Sequence, residues 1–119
     1  GDLGEALQSY ERAATVFHEL SQRSAAANDT GTKLAMCYNN IGLLRANRGE
    51  TQAALEAYQK AIALQEGLVA GGPADFAHER DLALTLGNVG LLYGQTGQFQ
   101  DAWTYYQRAL ESLEGKPGA

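Results

Sequence analysis

Residues 49–61 read GETQAALEAYQKA, residues 97–109 read GQFQDAWTYYQRA, and the chain opens on a third version of the phrase, GDLGEALQSYERA at 1–13. Gly1, Gly49 and Gly97 stand 48 positions apart, and the same step relates Ala6, Ala54 and Ala102, then Tyr10, Tyr58 and Tyr106, then Ala13, Ala61 and Ala109. A base recurs at Arg12, Lys60 and Arg108. The upstream half of the unit occurs twice, as LAMCYNNIGLL from Leu34 and LALTLGNVGLL from Leu82. Self-similarity at a fixed period marks a chain built from one repeated supersecondary unit. Here that unit is two segments joined by a short turn.

Both segments carry the period of a helix. Ala54, Tyr58, Ala61 and Ile62 fall at i, i+4, i+7 and i+8, one stripe of a helix that must be buried. Leu34, Tyr38, Ile41 and Leu44 share comparable spacing, as do Leu82, Leu86, Val89 and Leu92. Arg48-Gly49 and Thr96-Gly97 supply the breaks, because glycine accepts the left-handed conformation in which helices commonly end. The pattern predicts helices over about 3–27, 30–47, 50–69, 74–95 and 98–114, with GGP at 71–73 forming a turn and Pro73 starting the fourth helix. Gly42 and Gly90 lie inside helical pattern, where glycine costs roughly 1 kcal/mol relative to alanine. The expected compensation is a close helix crossing, with Ala54 against Gly42 and Ala102 against Gly90, and with Tyr58 and Tyr106 filling the wider space beyond.

The composition fits a folded domain and narrows its partners. The 119 residues are 45% hydrophobic, enough for a core, and their formal net charge of −5 opposes binding to phosphate backbones or anionic membranes. Neither nucleic acid nor membrane is therefore expected as a partner, and no run of 18 apolar residues is present. Cys37 is the single cysteine, which excludes an intrachain disulfide and suits a reducing, cytoplasmic setting. The sequence opens without methionine, as a piece excised from a larger protein would.

With these residues in place the chain resembles the tetratricopeptide repeat, whose pattern runs W-x2-L-G-x2-Y, then A-x3-F and later P. Leu86, Val89, Gly90, Tyr93, Ala102 and Tyr106 take the successive slots in one copy. Tyr38, Ile41, Gly42, Ala54 and Tyr58 take them in the other, with Arg45 in the second aromatic slot and Glu66 and Glu114 where the family has proline. The 48-residue unit exceeds the usual length of about 34. It is similar to the long-helix variety in kinesin light chains and in bacterial signalling arrays. The resemblance implies an all-α superhelix of antiparallel helix pairs: a second helix of a truncated repeat at 1–27, then full repeats at 28–70 and 71–115.

Catalytic chemistry has no foothold in this pattern. His18, His78 and Cys37 are scattered, with no pair at metal-ligand spacing, so neither a metal nor another cofactor is expected. No G-x-S-x-G, Walker-type or dinucleotide-binding loop follows a strand. Glu56 and Glu111 read as solvated helix faces, and a general acid/base pair needs a cleft that so small an array hardly offers.

The informative residues are Asn40 and Asn88, one period apart. Stacked units would set these amides side by side on the inner face, where donor and acceptor together can hold the backbone of an extended peptide. The resemblance implies this role. The competing reading is that each amide only caps or bridges neighbouring helices. Flanking positions on the same face are Met36 and Leu84, Asn39, Leu43 and Leu91, and Asn47 and Gln95. Met36 and Leu43 also suit ordinary packing. Lys33 and Arg45 would add positive charge, but Asp81 and Tyr93 replace them one unit later, which argues against a carboxylate clamp.

The leading expectation is a non-catalytic scaffold, of the kind used in signalling, that binds a protein or peptide in this groove. The alternative is a self-association element, forming a homodimer through exposed terminal helices, because the first helix lacks a partner to cover Leu3, Tyr10, Phe17 or Leu20, or through a surface at Trp103 and Leu110.

Overall fold

The computed structural model describes residues 2–23, 27–71 and 76–114, which form five helices and no strand. The helices are α1 (Asp2–Arg23), α2 (Ala27–Asn47), α3 (Thr51–Gly71), α4 (Ala77–Gln95) and α5 (Phe99–Glu114). The expected ends at 24–27 and the expected start at 74, with Pro73, fall wholly or partly on 24–26 and 72–75, outside the described residues. The α3 helix runs two residues further than its periodicity suggested, to Gly71.

Two turns, one period apart, are built identically. Gly49 and Gly97 have φ of 78° and 82°, the left-handed region that a side chain would strain. Each turn is closed by a pair of bonds that satisfies carbonyls at the helix end: Glu50 N to Arg45 O at 2.9 Å with Gly49 N to Ala46 O at 3.0 Å, and Gln98 N to Tyr93 O at 2.8 Å with Gly97 N to Gly94 O at 3.2 Å. The carbonyls of Glu50 and Gln98 accept from Ala54 N and Ala102 N, so the next helix begins at once. So short a reversal lays α3 back along α2 and α5 back along α4.

The hairpins stack through two clusters that share α3. Leu7 and Ala14 of α1, Leu34, Cys37 and Ile41 of α2, and Ala57 of α3 form one; Ala54, Tyr58 and Ile62 of α3 with Leu82, Leu86, Val89 and Leu92 of α4 form the other. Tyr58 is 1% exposed, and burial of such a ring contributes roughly 1.5 to 3 kcal/mol. On α1, Tyr10 and Phe17 find cover against the first cluster, whereas Leu3, Val16 and Leu20 stay exposed.

The compensation for the internal glycines differs from the expected one. A Cβ built on Gly42 would lie 2.5 Å from Tyr58 Cε1, and one on Gly90 would lie 2.9 Å from Tyr106 Cε1. The groups nearest the glycines are therefore the tyrosine rings, which come closer than Ala54 or Ala102. Ala102 lies instead toward Gly94, at 3.9 Å from a Cβ built there.

Candidate protein-binding face

Helical periodicity sorts α2 into two sides. Leu34, Cys37, Tyr38 and Ile41 turn to the first core cluster, while Met36, Asn40, Leu43 and Asn47 recur at i, i+4, i+7 and i+11 on the other side. In α4 the corresponding set is Leu84, Asn88, Leu91 and Gln95. Four of these eight are large apolar side chains left in solvent: Met36 at 52%, Leu43 at 38%, Leu84 at 60% and Leu91 at 50%. Asn47 and Gln95 are exposed as well.

The two first helices touch directly, and the amides mark the seam. Asn88 Nδ2 donates to Asn39 Oδ1 at 3.1 Å. Asn39 is buried, consistent with its place beneath this seam, while Asn40 is half-buried and its side chain makes no hydrogen bond among the described residues. The pairing thus joins Asn88 to the residue before its periodic equivalent. One amide is engaged between helices and the other has no hydrogen bond among the described residues, so the two Asn residues are not interchangeable.

The charges near this face are largely spoken for. Arg45 lies on the opposite side of α2, where Nη2 meets Glu11 of α1 at 2.6 Å and Nη1 meets Glu50 of the turn at 3.0 Å. It does not add positive charge to the face, contrary to its sequence reading. Arg48 also reaches Glu50, at 3.2 Å, and Lys33 pairs with Asp29 one turn earlier at 3.4 Å. Apolar contact and amide hydrogen bonding are what the surface offers.

Long polar side chains tie the second helices α3 and α5, a link the sequence reading missed. Gln59 Nε2 donates to Tyr105 Oη at 3.0 Å, and Arg108 Nη2 meets Glu66 at 3.0 Å. The recurring base at 12, 60 and 108 was the available signal, but its partners change. Lys60 lies 5.4 Å over the Tyr38 ring, whereas Arg108 stacks 4.9 Å over Tyr105, itself packed on Tyr93 at 5.6 Å. An open depression of about 500 Å³ on this side is lined by Gln52, Leu55, Glu56, Gln59, Lys60 and Tyr93.

Among the described residues no three His, Cys, Asp or Glu side chains converge on one point, and no helix is long and apolar enough to cross a membrane. Cys37 is buried, and loss of hydration pushes its thiol up from the ordinary value. It is a packing residue of the first cluster.

The family profile described as the tetratricopeptide repeat matches residues 34–69 and 82–114, the two hairpins from first helix to second. Comparison with curated proteins gives no match. Among solved structures the chain is similar to a crystal structure of MamA at 21% identity, with all of this chain and 93% of that one covered. The TM-score of that superposition is 0.28, too low to carry an argument.

Proposed function

Because the chain belongs to the tetratricopeptide repeat family, whose repeats generally mediate contacts between proteins, we propose that it is a non-catalytic scaffold binding a peptide or protein segment along the face of α2 and α4. The observation that carries this reading is the solvent-exposed apolar pair on each first helix, Met36 with Leu43 and Leu84 with Leu91, flanking an Asn40 amide that has no hydrogen-bond partner among the described residues. An uncovered amide can take both a carbonyl and an N–H from an extended ligand backbone. Asn47 and Gln95 extend the polar hooks to the same end. Asn39 and Asn88 serve by holding α2 against α4. With Arg45 turned away, the ligand is anchored by apolar side chains and not by a terminal carboxylate. A place in a cytoplasmic signalling assembly belongs to this reading and rests on the resemblance alone.

Peptides selected from a displayed library against the whole chain test it. Leu84→Glu and Asn40→Ala should each weaken binding by roughly ten-fold or more while leaving thermal unfolding unchanged. Full affinity in both variants would place the ligand elsewhere.

Self-association is the second reading, favoured by the exposure of Leu3, Val16 and Leu20 on α1. Sedimentation equilibrium over a range of concentrations separates the two, since a strict monomer leaves self-association without support.

A further inference from the structure

Two sulfur atoms lie side by side in the sequence and in opposite surroundings. Met36 and Cys37 are its one methionine and its one cysteine. Successive residues of a helix point about 100° apart, so α2 turns Cys37 into the first core cluster and leaves Met36 on the face shared with Asn40 and Leu43. Cys37 is 7% exposed and Met36 is 52% exposed. Burial raises the thiol above its ordinary value, which deprives it of the thiolate that reacts with peroxides. A thioether reacts without losing a proton, and at Met36 it stands in solvent.

The neighbour of Met36 on this face makes the consequence specific. Residues four apart on a helix have Cβ atoms about 5–6 Å from each other, and helical side chains lean toward the N-terminus, so Asn40 reaches back toward position 36. The Asn40 amide makes no hydrogen bond among the described residues. As a thioether, Met36 is an apolar contact and a weak acceptor, and it leaves that amide to a ligand. As a sulfoxide it is polar and a strong acceptor beside the Asn40 N–H donors. One added oxygen thus removes an apolar anchor and engages the adjacent polar hook. One period on, the same position is Leu84, 60% exposed and inert to peroxide.

We infer that Met36 is an oxidation switch on the α2–α4 face: a peroxide converts its thioether to the sulfoxide, the face loses affinity for its ligand, and reduction restores it. The inference rests on the ligand-binding reading of that face. In the forward step the sulfur lone pair attacks a peroxide oxygen and the O–O bond breaks as the S–O bond forms. With hydrogen peroxide the second oxygen leaves as water, so sulfur gives up two electrons and the peroxide takes them. The return step needs a methionine sulfoxide reductase for each sulfoxide epimer. Two thiols supply its electrons and end as a disulfide, and the oxygen is released as water. The fold stays intact through the cycle, because Met36 belongs to neither core cluster.

The test treats the whole chain with dilute hydrogen peroxide and measures its affinity for a library-selected peptide that itself lacks methionine and cysteine. Peptide mapping by mass spectrometry should place one added oxygen on Met36 and leave Cys37 a free thiol. Tm should not move, while affinity falls roughly ten-fold and returns after treatment with both reductases and dithiothreitol. Met36→Leu, whatever its own affinity, should bind equally before and after peroxide. In Asn40→Ala the loss on oxidation should be smaller than in the parent, since the sulfoxide no longer has that amide to engage. Unchanged affinity in the oxidised chain, with Leu84→Glu still weakening binding, overturns the switch and leaves the binding face standing. Full affinity in both Leu84→Glu and Asn40→Ala overturns the face and the switch together. A peroxide effect that persists in Met36→Leu, or a fall in Tm that accompanies the lost affinity, also overturns the switch.

Discussion

The ring of Tyr58 occupies the space where a side chain at Gly42 would begin: a Cβ there would stand 2.5 Å from Cε1 and 2.6 Å from Cδ1. One period on, Tyr106 lies over Gly90 through the same ring atoms, at 2.9 and 3.0 Å. This contact couples the two helices of each hairpin and explains glycine within a helix where alanine would otherwise be favoured.

The two glycines should therefore respond differently to the same change. Gly→Ala gains up to about 1 kcal/mol of helix propensity at either site. At Gly42 the opposing ring is 1% exposed and has nowhere to go, so overpacking of about 1 to 3 kcal/mol dominates and Tm falls. Tyr106 is 43% exposed and free to swing outward, so Gly90→Ala should be close to neutral or mildly stabilising. Thermal unfolding followed by circular dichroism ranks the pair. A Gly42→Ala variant as stable as the parent contradicts the contact.

Asn39 and Asn40 are adjacent yet should separate stability from binding. Asn39→Ala leaves the Asn88 amide without its acceptor at the α2–α4 seam, a loss of about 1 to 2 kcal/mol in denaturant unfolding. Asn40→Ala removes no internal bond and should shift the unfolding midpoint little, its effect falling on ligand affinity. Equal destabilisation by the two would show that the amides are not divided in this way.

Alkaline pH should unfold the protein partly through Tyr58. Burial pushes its hydroxyl up to about 12 from 10.0, so the unfolded chain releases this proton first as pH rises. Between these values the unfolded state binds fewer protons, and stability declines, by an amount on the order of 2 kcal/mol, complete above the folded value. Below pH 10 the contribution is constant. Tyr58→Phe should flatten this limb of the stability-pH curve, while retention of the full slope would assign it to another group.

Arg45 links α1 to the first hairpin through Glu11, a pair that is partly hydrated. A double-mutant cycle on Arg45 and Glu11 should give a coupling of no more than about 1 kcal/mol, shrinking as salt is added. A coupling that is large and insensitive to salt would mean the pair is sealed from water in solution.

The hairpins were legible in the sequence because their determinants are local. Gly49 and Gly97 punctuate the chain, and the stripe of Ala54, Tyr58, Ala61 and Ile62 needs only helical arithmetic to be recognised as buried. Partner choice across helices was less legible. Ala54 and Tyr58 are about one turn apart on the same stripe, roughly 6 Å along the axis, and periodicity cannot say which of them comes nearest Gly42. Lateral stagger between α2 and α4 is likewise absent from a repeat period, so the bond from Asn88 to Asn39 could not be read from it. The position of Arg45 could have been read correctly, since nine residues from Met36 is two and a half turns and points it away. The ties from Gln59 to Tyr105 and Glu66 to Arg108 join helices more than 40 positions apart, and no local signal announces them.

Amide chemical-shift mapping of the labelled chain against a library-selected peptide bears most directly on the α2–α4 face. The expected result is a continuous set of perturbed amides over Met36, Asn40 and Leu43 of α2 and Leu84, Asn88 and Leu91 of α4, with the outer sides of α3 and α5 unmoved. Perturbations confined to the Gln52–Lys60 depression or to Phe99–Leu113, with these six silent, would contradict it.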